Sequence, residues 1–168
     1  MYQRLLVPVD GSPTATRGLD EAIRLARLSG GRIRVVHVLD QLQFASGFEF
    51  CTADVLGLLQ EAGAAIVGAA KASVEASGVP VEAYLSETLA GRVADVVIEQ
   101  AQQWGADLIV IGTHGRRGVH RLMVGSDAEQ IVRAARVPVL LVRAEPVETA
   151  LPAMARDAAT PPAAMVAL

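Results

Sequence analysis

Short apolar runs alternate with longer segments of helical periodicity along most of this 168-residue chain. In the first helical segment, for example, Leu19, Ala22 and Ile23 recur at positions i, i+3 and i+4. Strands that alternate with helices favour parallel pairing, because each helix carries the chain back across the sheet. The pattern therefore predicts an α/β fold, a single doubly wound sheet of five parallel strands with helices on both faces. The predicted strands are residues 4–9, 32–39, 81–86, 107–111 and 137–142.

Local signals predict where the first and last helices begin. Ser12 is a good N-cap, and Pro13 after it suits the first helical position, where its missing N–H is not needed. Gly30, followed by a second glycine, is expected to end this helix. Ser126 and Glu129, three residues apart, match a capping box and predict that Ser126 caps the last helix.

Composition excludes several classes of protein. With 52% hydrophobic and 20% charged residues, the chain suits one globular domain with a substantial core. A net charge of −3 argues against a nucleic-acid-binding protein. No apolar run is long enough for a membrane helix or a signal peptide, so we expect a cytoplasmic location without membrane insertion. The single cysteine, Cys51, cannot form an internal disulfide and is interpreted as a small apolar filler rather than a redox sensor.

A glycine-rich stretch at residues 112–126 follows the fourth predicted strand and leads into the last predicted helix. Gly112, Gly115 and Gly125 lack a Cβ atom and so allow backbone N–H groups to approach phosphate oxygens. Glycines also serve plain strand-to-helix turns, which is the alternative interpretation. Three glycines in front of a helix start favour a phosphate-binding loop.

Polar side chains in and after this stretch suit the same ligand. Arg116 adds positive charge that matches phosphate, together with other basic residues of which only some can be contacts. Ser126 can cap its helix and hydrogen-bond a phosphate at the same time. Asp127 follows at the helix start, where a carboxylate favours the helix dipole and can influence a bound metal ion.

The spacing of Gly112, two residues, Gly115, nine residues and Gly125-Ser126 resembles the ATP-binding signature of the universal stress protein family. Three further segments resemble the opening strand and turn, the second strand and the closing strand of that family. These segments are residues 5–12, 35–38 and 137–142.

The resemblance covers residues 1–144 and implies one nucleotide-binding domain there, with residues 145–168 as an Ala/Pro-rich tail. It also implies a Rossmann-like sheet with the strand order 3-2-1-4-5, whereas the flavodoxin-like order 2-1-3-4-5 is the alternative. In the implied order, the winding reverses between strands one and four. The loops at residues 9–12 and 112–126 follow those strands, so we expect them to form one crevice.

The resemblance implies ATP as the ligand, with Mg²⁺ or Mn²⁺ on its phosphates. Asp10 occupies the position implied to hydrogen-bond the ribose hydroxyls or the adenine side, although an Asp-Gly-Ser sequence also suits a plain turn. By the same resemblance Pro8, Val9 and Val38 would line the adenine, or they belong simply to the core. His37, between two valines, is expected to be a core or edge histidine rather than a ligand.

Missing motifs separate nucleotide binding from catalysis. The only lysine is Lys71, so the chain lacks the Gly-Lys-Ser or Gly-Lys-Thr loop of common ATPases and kinases. A response-regulator receiver domain would need a phosphorylatable Asp after the third strand, where Ser86-Glu87 stands. The favoured function is a nucleotide-dependent regulatory or stress-response module with little or no hydrolysis. The alternatives are a slow ATPase or other nucleotide-handling enzyme of the same fold, and a nucleotide-free interaction protein.

The last predicted strand, Val137–Val142, would lie at an edge of the sheet in the implied order and is too apolar to remain open. The resemblance implies a homodimer that pairs this strand with its symmetry mate. An unidentified protein client is a further partner that the sequence leaves open. The tail has no aromatic residue and cannot build a core of its own, so we expect it to be disordered; the alternative is that it lies across a partner through Leu151, Met154, Met165 and Val166.

Overall fold

The computed structural model describes residues 1–40, 53–88, 92–113 and 125–143. In these ranges the chain forms a five-stranded parallel sheet and four helices. The strands are β1 (Arg4–Pro8), β2 (Arg32–Asp40), β3 (Val81–Thr88), β4 (Leu108–Gly112) and β5 (Val139–Val142). The helices are α1 (Pro13–Ser29), α2 (Ala53–Ala76), α3 (Val93–Trp104) and α4 (Ser126–Ala134). None of these helices is long and apolar enough to cross a membrane.

The sheet runs in the order β3-β2-β1-β4-β5, and every pairing is parallel. The prediction of five parallel strands in the order 3-2-1-4-5 is therefore confirmed, and the flavodoxin-like order is excluded. The central strand is β1, whose Leu5 pairs with Ile33 of β2 on one side and with Leu108 of β4 on the other. Because the winding reverses between β1 and β4, the loops after these two strands emerge side by side.

Two apolar layers cover the two faces of the sheet, as predicted. On one face, Leu5 and Val7 pack with residues of α1 and α2. On the other face, Leu6 packs with Ile109 of β4 and with Val97 of α3. Successive residues of a strand point to opposite faces, so a strand covered on both sides has to be apolar at every central position. Burying each such side chain contributes roughly 1.5–3 kcal/mol to stability.

The first helix begins and ends as its sequence predicts. Ser12 is the N-cap, and its hydroxyl accepts a hydrogen bond from the N–H of Ala15 at 3.2 Å. Pro13 occupies the first helical position. Gly30 ends the helix with a φ of 68°, a left-handed conformation that favours glycine.

The last helix does not begin with the predicted capping box. Its N-cap is Gly125, and Ser126 is its first helical residue. Glu129 is then one position too far along to reach the N-cap, and its side chain accepts a hydrogen bond from Arg133 at 2.6 Å instead. The N–H of Gly125 already donates to the carbonyl of Thr113 at 2.7 Å. A contact outside the helix, rather than a local cap, therefore fixes where this helix starts.

The last strand starts later than predicted, at Val139 rather than Val137. Pro138 has no N–H to donate to a sheet ladder, although its carbonyl accepts from the N–H of Ile109 at 3.0 Å. The resulting strand is short, lies at the edge of the sheet beside β4, and has half-buried side chains throughout.

Polar side chains tie β2, β3 and α3 together at the surface. The guanidinium of Arg34 lies 4.9 Å from the ring centroid of Trp104 and forms an ion pair with Glu82. The indole N–H of Trp104 donates to the same carboxylate at 3.1 Å. The hydrogen bond from Arg34, with a smaller contribution from Trp104, lowers the pKa of Glu82 below its ordinary value of 4.5.

We predict that Glu82→Gln removes a stabilising contribution that depends on pH. Because the pKa of Glu82 is lowered in the folded state, this contribution is fully present above about pH 4.5 and is lost as the pH falls through the folded-state pKa. The difference in free energy of unfolding between the parent protein and the variant should therefore shrink from about pH 7 to about pH 3, as measured by urea unfolding. Glu61→Gln, at an exposed position of α2, is the control. A difference that stays constant over this range would contradict the expectation.

Candidate functional site

The strand ends from which the two loops of the expected crevice emerge lie side by side at the carboxyl edge of the sheet. The strands β1 and β4 are neighbours, and α1 begins directly after the turn that follows β1. At the end of β4, a Cβ atom added to Gly112 would lie 2.9 Å from the carbonyl carbon and oxygen of Thr14 in α1. The start of α1 and the end of β4 are therefore in direct contact.

The turn after β1 is held by a hydrogen bond within it. The Oδ1 atom of Asp10 accepts from the N–H of Ser12 at 2.9 Å, and Gly11 between them has a φ of 79°. Asp10 itself is half-buried. Asp10 thus makes the turn that its sequence suits, and its contact with a nucleotide stays a prediction.

Thr113 closes the base of the glycine-rich loop, and the sequence analysis did not identify it. Its N–H donates to the carbonyl of Val142 in β5 at 2.8 Å, and its carbonyl accepts from the N–H of Gly125 at 2.7 Å. Thr113 is 2% exposed. The chain therefore enters and leaves residues 114–124 at one hydrogen-bonded point. The only local signal for this role is a threonine placed between an apolar strand and a glycine-rich stretch.

The start of α4 lies at the same point. The first residues of a helix have N–H groups without a carbonyl partner inside the helix, and the N-cap here, Gly125, has no side chain to accept from them. Ser126 is exposed and Asp127 is half-buried. Asp127 and Glu129 place carboxylates in the first turn, where they interact favourably with the helix dipole.

Gly112 has a packing reason to be glycine. The atoms that its added Cβ would meet at 2.9 Å include the main chain of Thr14, which cannot move aside like the end of a flexible side chain. Gly18 of α1 faces the same strand, and a Cβ there would lie 3.4 Å from the backbone nitrogen of Gly112. Together the two glycines let α1 lie close against β4. Gly112 alone is therefore not evidence for phosphate binding.

The residues predicted to line the adenine are largely core residues. Val9 and Val38 are 7% and 9% exposed, and they belong to apolar layers on opposite faces of the sheet. Pro8 is half-buried at the end of β1. His37 is buried and its Nδ1 lies 2.6 Å from the carbonyl oxygen of Val9, as fits the expected core histidine. The core interpretation therefore holds for both valines, and their contact with a nucleotide stays a prediction.

Part of the predicted site lies outside the described residues. Gly115 and Arg116 belong to this part, and Cys51, predicted to be an apolar filler, also lies outside the described residues. Within the ranges that the structure does describe, no group of three or more His, Cys, Asp or Glu side chains could hold a metal ion.

A groove of about 340 Å³ lies away from this site, between the end of α3 and the segment that precedes β5. Its lining is mainly apolar and includes Ile98, Ile109 and Val137. It is at the amino end of β4, opposite to the crevice, and contains none of the predicted site residues.

Comparisons with known proteins point to one family. A family model described as the universal stress protein family matches residues 1–143. A universal stress protein of Methanocaldococcus jannaschii is 31% identical over 144 residues, which cover 85% of this chain and 83% of that protein.

Solved structures agree with the sequence comparison. A universal stress protein family member from Burkholderia pseudomallei has 32% sequence identity and a TM-score of 0.67, covering 85% of this chain and 97% of that one. The universal stress protein from Archaeoglobus fulgidus in complex with dAMP has 25% identity and a TM-score of 0.61, covering 84% of this chain and 98% of that one.

We predict that Gly112→Ala destabilises the protein by about 1–3 kcal/mol, because the added methyl group would press on the main chain of Thr14. The matched control is Gly68→Ala on α2, where an added Cβ meets nothing within 4 Å. That change should stabilise the protein by about 0.5–1 kcal/mol, since alanine favours the helix. Both values come from urea unfolding, and a Gly112→Ala protein as stable as the parent would refute the packing role.

Proposed function

The chain belongs to the universal stress protein family, and from this premise we propose that it is an ATP-binding regulatory module. The nucleotide occupies the crevice between the carboxyl ends of β1 and β4. The observation that carries the proposal is the direct approach of Gly112 to Thr14, which brings the turn after β1 and the base of the glycine-rich loop together. In the sheet order found here, this is the position where winding reverses and where open α/β sheets bind ligands.

A relative supports the class of ligand. The Archaeoglobus fulgidus universal stress protein forms a complex with dAMP, an adenine nucleotide with one phosphate. In our proposal the adenosine part lies toward the turn after β1, where Asp10 accepts hydrogen bonds from the ribose hydroxyls and Pro8, Val9 and Val38 provide apolar surroundings. The triphosphate of ATP extends this ligand toward the glycine-rich loop.

The phosphates lie between the glycine-rich loop and the start of α4. Gly115 and Gly125 leave room for them, Arg116 supplies positive charge, and Ser126 supplies a hydroxyl at an exposed position, while Gly112 lets α1 approach the end of β4. The N–H of Gly125 is engaged by Thr113, so the helix contributes through the N–H groups after it.

A divalent cation, Mg²⁺ or Mn²⁺, accompanies the phosphates in this proposal. The half-buried carboxylate of Asp127 stands beside the helix start, where it attracts a cation. A cation on the phosphates offsets the negative charge that Asp127 would otherwise bring against them.

Binding rather than hydrolysis is the signal in this proposal. The single lysine, Lys71, is part of α2 and pairs with Glu75 of the same helix, with 3.6 Å between Nζ and Oε1. Lys71 therefore lies in a helix and pairs with a residue of that helix, whereas the lysine of a P-loop lies in the phosphate-binding loop itself. We place nucleotide binding in residues 1–144 and treat residues 145–168 as a tail outside this domain.

We predict that freshly purified protein releases ATP when it is denatured, as identified by mass spectrometry, or takes up ATP with Mg²⁺ in a calorimetric titration. AMP should bind more weakly than ATP, because it lacks the phosphates that the loop and the α4 start would contact. Asp10→Asn should weaken ATP binding about tenfold, since the amide keeps the turn contact with Ser12 but loses the charge that strengthens hydrogen bonds to hydroxyls.

The control for this charge change is Asp20→Asn at an exposed position of α1, which should bind as the parent does. If the parent neither releases nor takes up ATP, the proposed function is wrong. Equal affinities for AMP and ATP would leave nucleotide binding in place but refute the role of the loop in holding a triphosphate.

We also propose that two copies pair through β5. This strand lies at the edge of the sheet, and its side chains Val139, Leu140, Leu141 and Val142 are all half-buried. An apolar edge strand of this kind is a template for pairing with another chain.

Light scattering at roughly 10 μM should give about twice the chain mass of 17.6 kDa. Val142→Lys should lower that mass to the monomer value, because it places a charged side chain on the apolar edge strand through which the two copies would pair. Leu58→Lys on α2, at a side chain that is 65% exposed, should leave the mass unchanged. A monomeric parent protein at this concentration would contradict the dimer.

A further inference from the structure

His37 lies in β2 beneath α2 and is 7% exposed. Its Nδ1 atom lies 2.6 Å from the carbonyl oxygen of Val9. A carbonyl only accepts hydrogen bonds, so Nδ1 carries the proton and donates it. The ring is confined from the α2 side as well, because a Cβ added to Gly63 would lie 3.2 Å from its Cδ2 atom.

Both main-chain polar groups of Val9 are therefore bonded to β2. Its N–H donates to the carbonyl of Val36 at 2.8 Å, and its carbonyl accepts from the His37 side chain. Val9 is itself 7% exposed, so a carbonyl without a partner here would be a buried unsatisfied group, which is costly. The imidazole thus fixes the backbone just beyond the end of β1.

The residue that follows is Asp10, so this hydrogen bond continues into the candidate site. Asp10 accepts from the N–H of Ser12, and the hydroxyl of Ser12 caps α1 through the N–H of Ala15. Hydrogen bonds on both sides of Asp10 therefore connect the core to the start of α1. On one side His37 holds the carbonyl of Val9, and on the other side Ser12 links Asp10 to the cap of α1.

We propose that His37 is a positioning residue for the nucleotide site, because its Nδ1–H holds the Val9 carbonyl and so sets where Asp10 presents its carboxylate. This inference rests on the proposed function, in which Asp10 contacts the nucleotide. A purely structural histidine would fill space and support stability but leave affinity to the residues that touch the ligand.

The test compares His37→Leu with His37→Asn. The side-chain nitrogen of asparagine is the same number of bonds from Cα as Nδ1 of histidine, so it can donate to the Val9 carbonyl, whereas leucine has no donor. Both variants are expected to be less stable, since both remove part of the ring. Calorimetric titration with ATP and Mg²⁺ should give affinity about tenfold weaker for His37→Leu and within about threefold of the parent for His37→Asn.

Parent-like affinity in His37→Leu would overturn the proposal, and so would an equal loss of affinity in the two variants. A second measurement does not need a nucleotide: the Ser12 amide should exchange hydrogen faster in His37→Leu than in His37→Asn, relative to Val110 in the core of β4. If the parent binds no ATP, the proposed function fails, and this exchange ratio alone decides whether His37 positions the turn. Equal Ser12 exchange in both variants would then refute it.

Discussion

The close approach of α1 to β4 is the constraint on which the rest of the candidate site depends. Gly112 on the strand allows the main chain of Thr14 in α1 to approach to a distance at which a Cβ atom would not fit, and Gly18 on the helix faces the same strand. The contact brings the turn after β1 next to the exit of β4, and Thr113 ties that exit to β5. A side chain at Gly112 would press on the main chain of Thr14 and hold the start of α1 away from the end of β4.

Sequence signals that span a few residues predicted much of the fold, whereas contacts between residues far apart in the sequence could not be predicted. Ser12 and Gly30 were identified because caps and left-handed turns depend on local chemistry. The capping box failed because the start of α4 depends on a hydrogen bond from Gly125 to Thr113, which leaves no periodic pattern. Strand order came from the family resemblance, since periodicity alone left two orders open. Asp10 was identified for a ligand role, but the sequence could not separate that role from the turn that the structure contains.

Two helices begin at the crevice, and they differ in what their first N–H groups meet. At α1, the hydroxyl of Ser12 already accepts from Ala15, so the cap belongs to the protein itself. At α4, the N-cap is Gly125, which offers no side chain to the N–H groups of the first turn. An anion therefore gains more from α4 than from α1, although the dipoles of both helices point the same way relative to the sheet. Because Gly125 has no side chain, it cannot cap the first N–H groups of α4, which suits the phosphate contact in the proposed function.

The carboxylates at the start of α4 decide which kind of phosphate ligand suits it. Glu129 is paired with Arg133 on the next turn, and Asp127 places a second carboxylate in the first turn. A bare phosphate would gain from the helix dipole and be repelled by nearby carboxylates. When the nucleotide carries a divalent cation, the carboxylates attract the cation, and this offsets their repulsion of the phosphates. Within the proposed function, the two carboxylates of this helix start suit a metal-bound triphosphate better than a free phosphate ion.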